Sequence, residues 1–150
     1  MLKLNNFSIS FLQNKKYTEV IHNISFSLKK NEILGVVGES GSGKSITSLA
    51  ILGLLSKKNT KIEGEILYKK NNLISLKEKE FQTIRGNKIA MIFQEPMSSL
   101  NPTLTCGYQV AEILQQHTRL SSKEIKKEVI SLFNKVKLPR PESIFNAYPH

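Results

Sequence analysis

One stretch decides the fold of this chain: Gly38-Glu39-Ser40-Gly41-Ser42-Gly43-Lys44-Ser45. It follows residues 33–37, which are apolar on both faces, as a buried central strand is. It leads into residues 44–55, where apolar side chains recur near one face at helical spacing. A strand, a glycine-rich loop and a helix are the context in which Gly-x-x-x-x-Gly-Lys-Ser binds phosphate. We therefore predict an α/β fold organised around this loop.

Each residue type in the loop has a physical role in holding a polyphosphate. The glycines let the backbone fold tightly, so consecutive N–H groups from about Gly41 to Ser45 can point at a β-phosphate. The helix that begins at Lys44 adds the positive end of its dipole. The Lys44 ammonium suits the β- and γ-phosphates, and the Ser45 hydroxyl is a hard ligand for Mg²⁺. A flexible glycine turn is the alternative, and the flanking strand and helix disfavour it.

Alternating apolar residues predict further strands, which have one solvated face and pair in an antiparallel sheet. The first of them contains an irregularity at Asn5-Asn6. A different pattern, apolar on both faces, predicts another buried strand at residues 89–93. The alternating strands are predicted at residues 2–11, 20–28 and 62–68, with polar turns at 13–16, 29–32 and 71–72.

Helical patterns dominate the second half of the chain. The strongest begins with Ser121-Ser122-Lys123-Glu124, a capping box in which the serine hydroxyl and the glutamate carboxylate satisfy free backbone donors. The chain thus divides into a mixed α/β part up to about Glu95 and a helical part from about Met97. Residues 98–102 are predicted as a loop, and helices are predicted at residues 77–85, 107–118 and 121–136.

The composition excludes several classes of protein. With 39% hydrophobic residues in 150, the chain can bury one soluble core, and its apolar stretches are too short to span a bilayer. No basic patch and apolar run follow Met1, so we expect no secretory signal. Cys106 is the only cysteine, which fits a reducing compartment. The net charge of +10 comes from scattered lysines without interleaved aromatics, which is typical of solvated faces and not of a nucleic-acid platform.

A second string narrows the family: Met91-Ile92-Phe93-Gln94-Glu95-Pro96-Met97-Ser98-Ser99-Leu100-Asn101-Pro102. Together with the glycine-rich loop, it closely resembles the ATP-binding subunits of the peptide/nickel branch of ABC importers, and the resemblance extends over the whole chain. It implies a P-loop NTPase cassette core with an N-terminal antiparallel β subdomain and the start of a helical subdomain. We expect one incomplete nucleotide-binding domain, with the β subdomain and P-loop core at residues 1–95 and a partial helical subdomain at 96–150.

The resemblance also implies roles for individual residues. Gln94 matches the Q-loop glutamine, whose amide oxygen reaches Mg²⁺ and the attacking water and whose loop couples the γ-phosphate to a membrane partner. Family members stack an aromatic ring on adenine after the first strand; Phe11 and Tyr17 are both candidates, with a slight preference for Tyr17. The nucleotide-binding residues implied by the match are Gly38, Glu39, Ser40, Gly41, Ser42, Gly43, Lys44, Ser45 and Ile46.

Relatives in this branch continue, after Tyr-Pro-His, with Leu-Ser-Gly-Gly-Gln, a strand ending in Asp-Glu and a switch histidine. None of these strings occurs in this sequence. Glu95 follows the Q-loop glutamine and is not the catalytic glutamate, and His150 is not the switch histidine. We expect the full-length protein to be an ATPase with Lys44 and Gln94 in its catalytic site. The 150-residue chain alone is expected to bind nucleotide weakly and not to hydrolyse it.

The resemblance implies an energy-coupling subunit on the cytoplasmic face of the cell membrane, which drives import of peptides, nickel or a related small solute. Its expected partners are transmembrane permease subunits, a second cassette and, indirectly, a solute-binding protein, with no nucleic acid. One alternative is a non-transport ABC ATPase of DNA repair or translation, but residues 95–102 favour the importer branch. Another alternative is a non-catalytic fragment that binds nucleotide or permease. An unrelated P-loop kinase does not account for the string around Gln94.

Overall fold

The computed structural model describes residues 1–95 and 99–150 and divides into two units, Met1–Ile89 and Ala90–His150. Strands and two helices make up the first unit, and the second is helical. The elements are β1 (Leu2–Gln13), β2 (Lys16–Leu28), α1 (Lys44–Ile51), β3 (Thr60–Tyr68), β4 (Asn71–Asn72), a 3₁₀ turn (Leu73–Ser75), α2 (Glu78–Ile84), α3 (Cys106–His117), α4 (Ser122–Lys135) and α5 (Pro141–Asn146).

The first unit contains an antiparallel sheet in the order β2-β1-β3-β4. β1 and β2 form a hairpin whose turn residues, Asn14 and Lys15, have φ of 49° and 64°. This left-handed pair matches the twist of the flanking strands. The predicted irregularity at Asn5-Asn6 is confirmed, because the register of β1 shifts between Leu4 and Phe7. Asn71 and Asn72, predicted as a turn, instead pair with β3 as the short β4.

One face of the sheet carries the core of the first unit. The side chains of Leu4, Phe7, Ile9 and Ile66 on this face are fully buried. Helix α1 packs there through Ala50, and α2 through Phe81. Each large apolar side chain buried in this way contributes about 1.5–3 kcal/mol. The alternation predicted for the strands is therefore realised as one buried and one solvated face.

Helix α1 is shorter than the predicted helix over residues 44–55, because Gly53 ends it. Gly53 is left-handed, with φ of 62°, and its N–H bonds to the carbonyl of Ala50 while that of Leu54 bonds to Leu49. These two bonds are the Schellman pattern of a helix C-terminus. A Cβ built on Gly53 would also lie 2.5 Å from the ring of Phe81. Both constraints require glycine here.

Arg85 fastens the C-terminal end of α1 to the end of α2. Its Nε donates to the carbonyl of Leu52 at 2.7 Å, and its Nη2 donates to that of Gly53 at 2.9 Å. The guanidinium also pairs with Glu78 and lies 4.8 Å from the ring centre of Phe81. Leu52 and Gly53 directly follow α1, at the negative end of its dipole, so a planar cation is well suited to bond their carbonyls.

Two predicted strands are wrong for this structure. Residues 33–37 and 89–93 are not assigned as strands, apart from a single bridge between Arg85 and Ile89. Ile33 is 99% exposed, Val37 95% and Ile92 94%. Their apolar composition predicts burial, but a strand also needs a hydrogen-bonded neighbour, and no strand within residues 1–95 or 99–150 pairs with either segment.

The second unit is built from α3, α4 and α5. Its core consists of Ala111 from α3 and Ile125, Val129 and Phe133 from α4. The predicted capping box at Ser121 is confirmed, and hydrogen bonds from the Ser121 hydroxyl and then its backbone N–H lower the pKa of Glu124. The sequence patterns did not predict helix α5, because it is only six residues long. No helix among the described residues is long and apolar enough to cross a membrane.

The predicted loop over residues 98–102 is only partly described, since Ser98 lies outside the described residues. The described part is clamped by Gln109 of α3. The Gln109 side chain accepts a hydrogen bond from the N–H of Asn101 at 2.8 Å and donates to the carbonyls of Asn101 and Leu104, each at 3.0 Å. The backbone of this loop is therefore held in place by hydrogen bonds to the side chain of Gln109.

We expect Arg85→Ala to lower the free energy of unfolding by about 2 kcal/mol, because two carbonyls at the end of α1 lose a charged donor. Arg85→Lys keeps the charge but loses the planar fork, so it should recover only part of the loss. Urea unfolding followed by circular dichroism measures both. Lys88→Ala, an exposed substitution three residues away, is the control; equal effects of Arg85→Ala and Lys88→Ala would contradict the capping role.

Candidate functional site

The glycine-rich loop lies exposed between the end of the segment 33–37 and the start of α1. Gly41 and Gly43 have φ of 84° and 87°, a conformation that side chains disfavour. The loop turns on itself through a hydrogen bond from the N–H of Ser42 to the carbonyl of Glu39 at 3.2 Å. The predicted helix start at Lys44 is confirmed, so the positive end of the α1 dipole adjoins the loop.

The sheet fixes the loop through Ile21 of β2. Ile21 is 4% exposed, and a Cβ built on Gly43 would overlap its Cδ1 atom. Gly43 is therefore in direct contact with the core face of the sheet, which sets where α1 begins. Sequence patterns missed this role of Ile21, because nothing in the spacing of β2 distinguishes it from other buried residues.

Lys44 folds back over the loop. Its Nζ donates to the carbonyl of Gly38 at 2.7 Å, to that of Glu39 at 2.7 Å and to the Ser42 hydroxyl at 3.0 Å. Since an ammonium has three donors, the loop uses all of them. The arrangement keeps a full positive charge at the exposed loop, where an incoming phosphate can exchange with one of these acceptors.

The residues after Lys44 divide between solvent and core. Ser45 is exposed in the first turn of α1, so its hydroxyl is accessible to a ligand at the loop. Ile46 packs against the core cluster, which leaves only its backbone N–H to contribute to binding. Thr47, which the sequence did not single out, donates from its hydroxyl to the carbonyl of Gly43 at 3.0 Å and stabilises the loop-to-helix junction.

The protein groups at this loop suit a cation such as Mg²⁺, which is held partly by phosphate oxygens, and do not suit a metal ion that needs a full set of protein ligands. Among residues 1–95 and 99–150, no group of three His, Cys, Asp or Glu is placed to hold a metal ion. A cation at the loop would rely on phosphate oxygens, with the Ser45 hydroxyl as a protein ligand. That shared coordination is typical of Mg²⁺ in phosphate-binding proteins.

Gln94 belongs to the second unit, whereas Lys44 and Ser45 belong to the first. Gln94 is exposed and lines an open depression together with Phe93, Glu95 and Ser99. The middle of the motif that follows it, residues 96–98, lies outside the described residues. The Gln94 amide is thus accessible to a ligand or a partner.

The two aromatic candidates lie on opposite faces of the sheet. Phe11 is two residues from Ile9 on β1 and packs against the core cluster, on the face where Ile21 meets the loop. Tyr17 is opposite Leu12, whose side chain alternates to the other face, and it is 47% exposed. The strand register therefore argues against the slight preference for Tyr17, because only Phe11 shares the face of the phosphate loop.

A phosphate loop seated between an antiparallel sheet and a helix, with a helical unit after it, defines a nucleotide-binding cassette. The family model for ABC transporters matches residues 21–147, and the chain belongs to this family. It is similar to the solved bacterial ABC transporter cassette MJ0796, in a dimeric structure, with a TM-score of 0.82 and 27% identity; the match covers 99% of this chain and 62% of that one. A structure of the same cassette bound to ADP and Pi matches with a TM-score of 0.79 and 25% identity, over the same shares of the two chains.

Several curated relatives are named as ATP-binding proteins of peptide transport. The chain is 44% identical to the dipeptide transport ATP-binding protein DppD of Lactococcus lactis subsp. cremoris and 43% identical to DppD of Bacillus subtilis. It is 42% identical to the oligopeptide transport ATP-binding protein AppD of Bacillus subtilis. All of this chain is covered in each case, but only 43%, 45% and 46% of the relatives, so it spans less than half their length.

We expect Gly43→Ala to weaken nucleotide binding at least about tenfold, because a methyl group at this left-handed position strains the backbone and displaces the loop from Ile21. Titration with a fluorescent ATP analogue measures the loss. Gly35→Ala is the matched control, since a Cβ at Gly35 meets nothing within 4 Å. Unchanged affinity in Gly43→Ala would show that the contact with Ile21 does not position the loop.

Proposed function

We propose that this chain forms the nucleotide-binding part of an ATP-driven importer subunit that couples ATP hydrolysis to peptide uptake. The observation that carries the proposal is the phosphate loop, with Lys44 held at its exposed side and Gly43 seated on the sheet. The similarity over the whole chain to dipeptide and oligopeptide transport ATP-binding proteins supports the substrate class. Those names favour peptides over nickel, the other solute of the predicted branch.

The loop residues would bind the phosphates of ATP in three ways. Backbone N–H groups of the loop and the α1 dipole hold the β-phosphate, while Lys44 exchanges a loop acceptor for phosphate oxygens. We propose the exposed Ser45 hydroxyl as a ligand of Mg²⁺, which when bound would supply positive charge against the charge that develops on the transferred phosphoryl group. Gln94, on the second unit, is the residue we assign to sensing the γ-phosphate and orienting the attacking water.

Phe11 is the residue that we propose stacks on adenine. It is half-buried, so one side of its ring packs on the core while the rest is available to a base. Its face of the sheet is also the face that Ile21 and Gly43 share. Tyr17 lies on the opposite face, which supports Phe11 over Tyr17 for this role.

Hydrolysis is proposed to require residues beyond those of this chain. The sequence contains Lys44 and Gln94 but no Leu-Ser-Gly-Gly-Gln string and no apolar strand ending in Asp-Glu. The dimeric arrangement of the MJ0796 cassette supports a second cassette as the partner that completes the site. Transmembrane permease subunits and, through them, a solute-binding protein are the further partners, and they would place the chain at the cytoplasmic face of the membrane.

The adenine assignment is tested by comparing Phe11→Ala with Tyr17→Ala. We expect Phe11→Ala to weaken ATP binding about tenfold, because stacking of a base on an aromatic ring contributes about 1–3 kcal/mol to binding. Tyr17→Ala should leave the affinity unchanged. Phe11→Tyr keeps a ring and should restore binding, which separates stacking from a packing defect. Loss of affinity in Tyr17→Ala alone would reverse the assignment.

The proposed function itself is tested in two steps. The chain should bind a fluorescent ATP analogue, Lys44→Ala should abolish that binding, and neither should release phosphate from ATP. The full-length protein, expressed with its permease, should support growth on dipeptides as the source of a required amino acid, and Lys44→Ala should stop it. Growth unaffected by Lys44→Ala would disprove the coupling role, and growth only with added nickel would reassign the solute.

A further inference from the structure

Lysines gather at one end of the sheet, where the β1–β2 turn and the turn before β3 are adjacent. The β1–β2 turn carries Lys15 and Lys16. The turn before β3 carries Lys58, and its Asn59 accepts a hydrogen bond from the N–H of Leu12 at 2.9 Å. Lysine pairs that are scattered along the sequence thus converge through strand pairing.

An apolar pair lies among these lysines. Leu12 and Tyr17 are directly opposite each other on β1 and β2 and are 39% and 47% exposed. Lys61 of β3 pairs with Ser10, which puts it on the same solvated face.

We propose that these residues form a surface that docks on anionic lipid headgroups; we call it the hairpin-end patch and define it as Leu12, Lys15, Lys16, Tyr17, Lys58 and Lys61. An exposed aliphatic and a tyrosine ring framed by lysines are the chemistry of an interfacial membrane contact. The lysines attract the anionic surface, and the Leu12–Tyr17 pair inserts at the headgroup level.

Little acidic charge opposes this surface. Glu63 pairs with Lys61 at 2.7 Å, and the Glu19 carboxylate lies 3.3 Å from Nδ1 of His22, a contact that balances its charge only when His22 is protonated. In the part of the chain that the structure describes, Lys15, Lys16 and Lys58 form no ion pair. Their charges are therefore available to a partner.

Other parts of the molecule match the lipid chemistry less well. The opposite end of the sheet carries as many lysines, at Lys29, Lys30, Lys69 and Lys70, but its aromatic ring, Tyr68, packs against the core cluster. Nucleic acid would be matched by arginine and several stacked aromatic rings, and the hairpin-end patch has no arginine and one ring.

The test is co-sedimentation of the 150-residue chain with vesicles of phosphatidylcholine, alone or mixed with phosphatidylglycerol. We expect binding only to the mixed vesicles at low salt. The double variant Lys15→Glu/Lys16→Glu should lower the partition coefficient about tenfold or more, since each lysine near an anionic surface contributes about 1 kcal/mol. Lys69→Glu/Lys70→Glu makes the same change in net charge at the opposite end and should bind nearly as the parent chain does.

The apolar pair has its own readout. Tyr17→Ala and Leu12→Ser should reduce the binding that persists at high salt, and neither should alter affinity for the ATP analogue. Absence of binding to mixed vesicles overturns the proposal. Equal losses of vesicle binding in the two double variants also overturn it, because binding would then depend on the net charge of the chain and not on the position of the lysines. If a DNA duplex displaces the chain from vesicles and its binding shows the same dependence on Lys15 and Lys16, the lipid assignment is overturned in favour of nucleic acid.

Discussion

The contact between Gly43 and Ile21 is the constraint on which the rest of the first unit depends. It joins the end of the phosphate loop to the core face of an antiparallel sheet, with no space for a side chain between them. Once this contact is made, the start of α1, the direction of its dipole and the position of Lys44 are determined together. The loop can stay exposed and polar because one of its glycines is held by an apolar core.

The two faces of the sheet differ in whether they adjoin the phosphate loop. Phe11, Ile9 and Ile21 lie on the side of the nucleotide loop, whereas Leu12 and Tyr17 lie on the solvated side. Two aromatic residues six positions apart in a hairpin are thus separated by the pleat of the strands and not by sequence distance. Position alone would place Tyr17 on the same face as Ile21, four residues further along β2, but the extra residue of β2 near Val20 reverses that alternation.

Local patterns predicted the elements whose stabilising contacts are close in sequence. The loop-to-helix start at Lys44 and the capping box at Ser121 are both confirmed, since each depends on residues within one turn. The strands predicted at residues 33–37 and 89–93 failed for the opposite reason: apolar composition indicates burial, but only a neighbouring strand provides it. The roles of Ile21 and Arg85 also escaped the sequence, because both act through residues that are distant along the chain.

Helix α1 has eight residues and so is about 12 Å long. Its first residue carries the ammonium of the phosphate loop, and the carbonyls of Leu52 and Gly53, just after its last residue, accept hydrogen bonds from the Arg85 guanidinium at the end of α2. The two cations therefore lie at the two ends of this short helix, Lys44 at the positive end of its dipole and Arg85 at the negative end. The phosphate loop and the end of α2 are in this sense joined, within the first unit, by one short helix and the hydrogen bonds of one arginine.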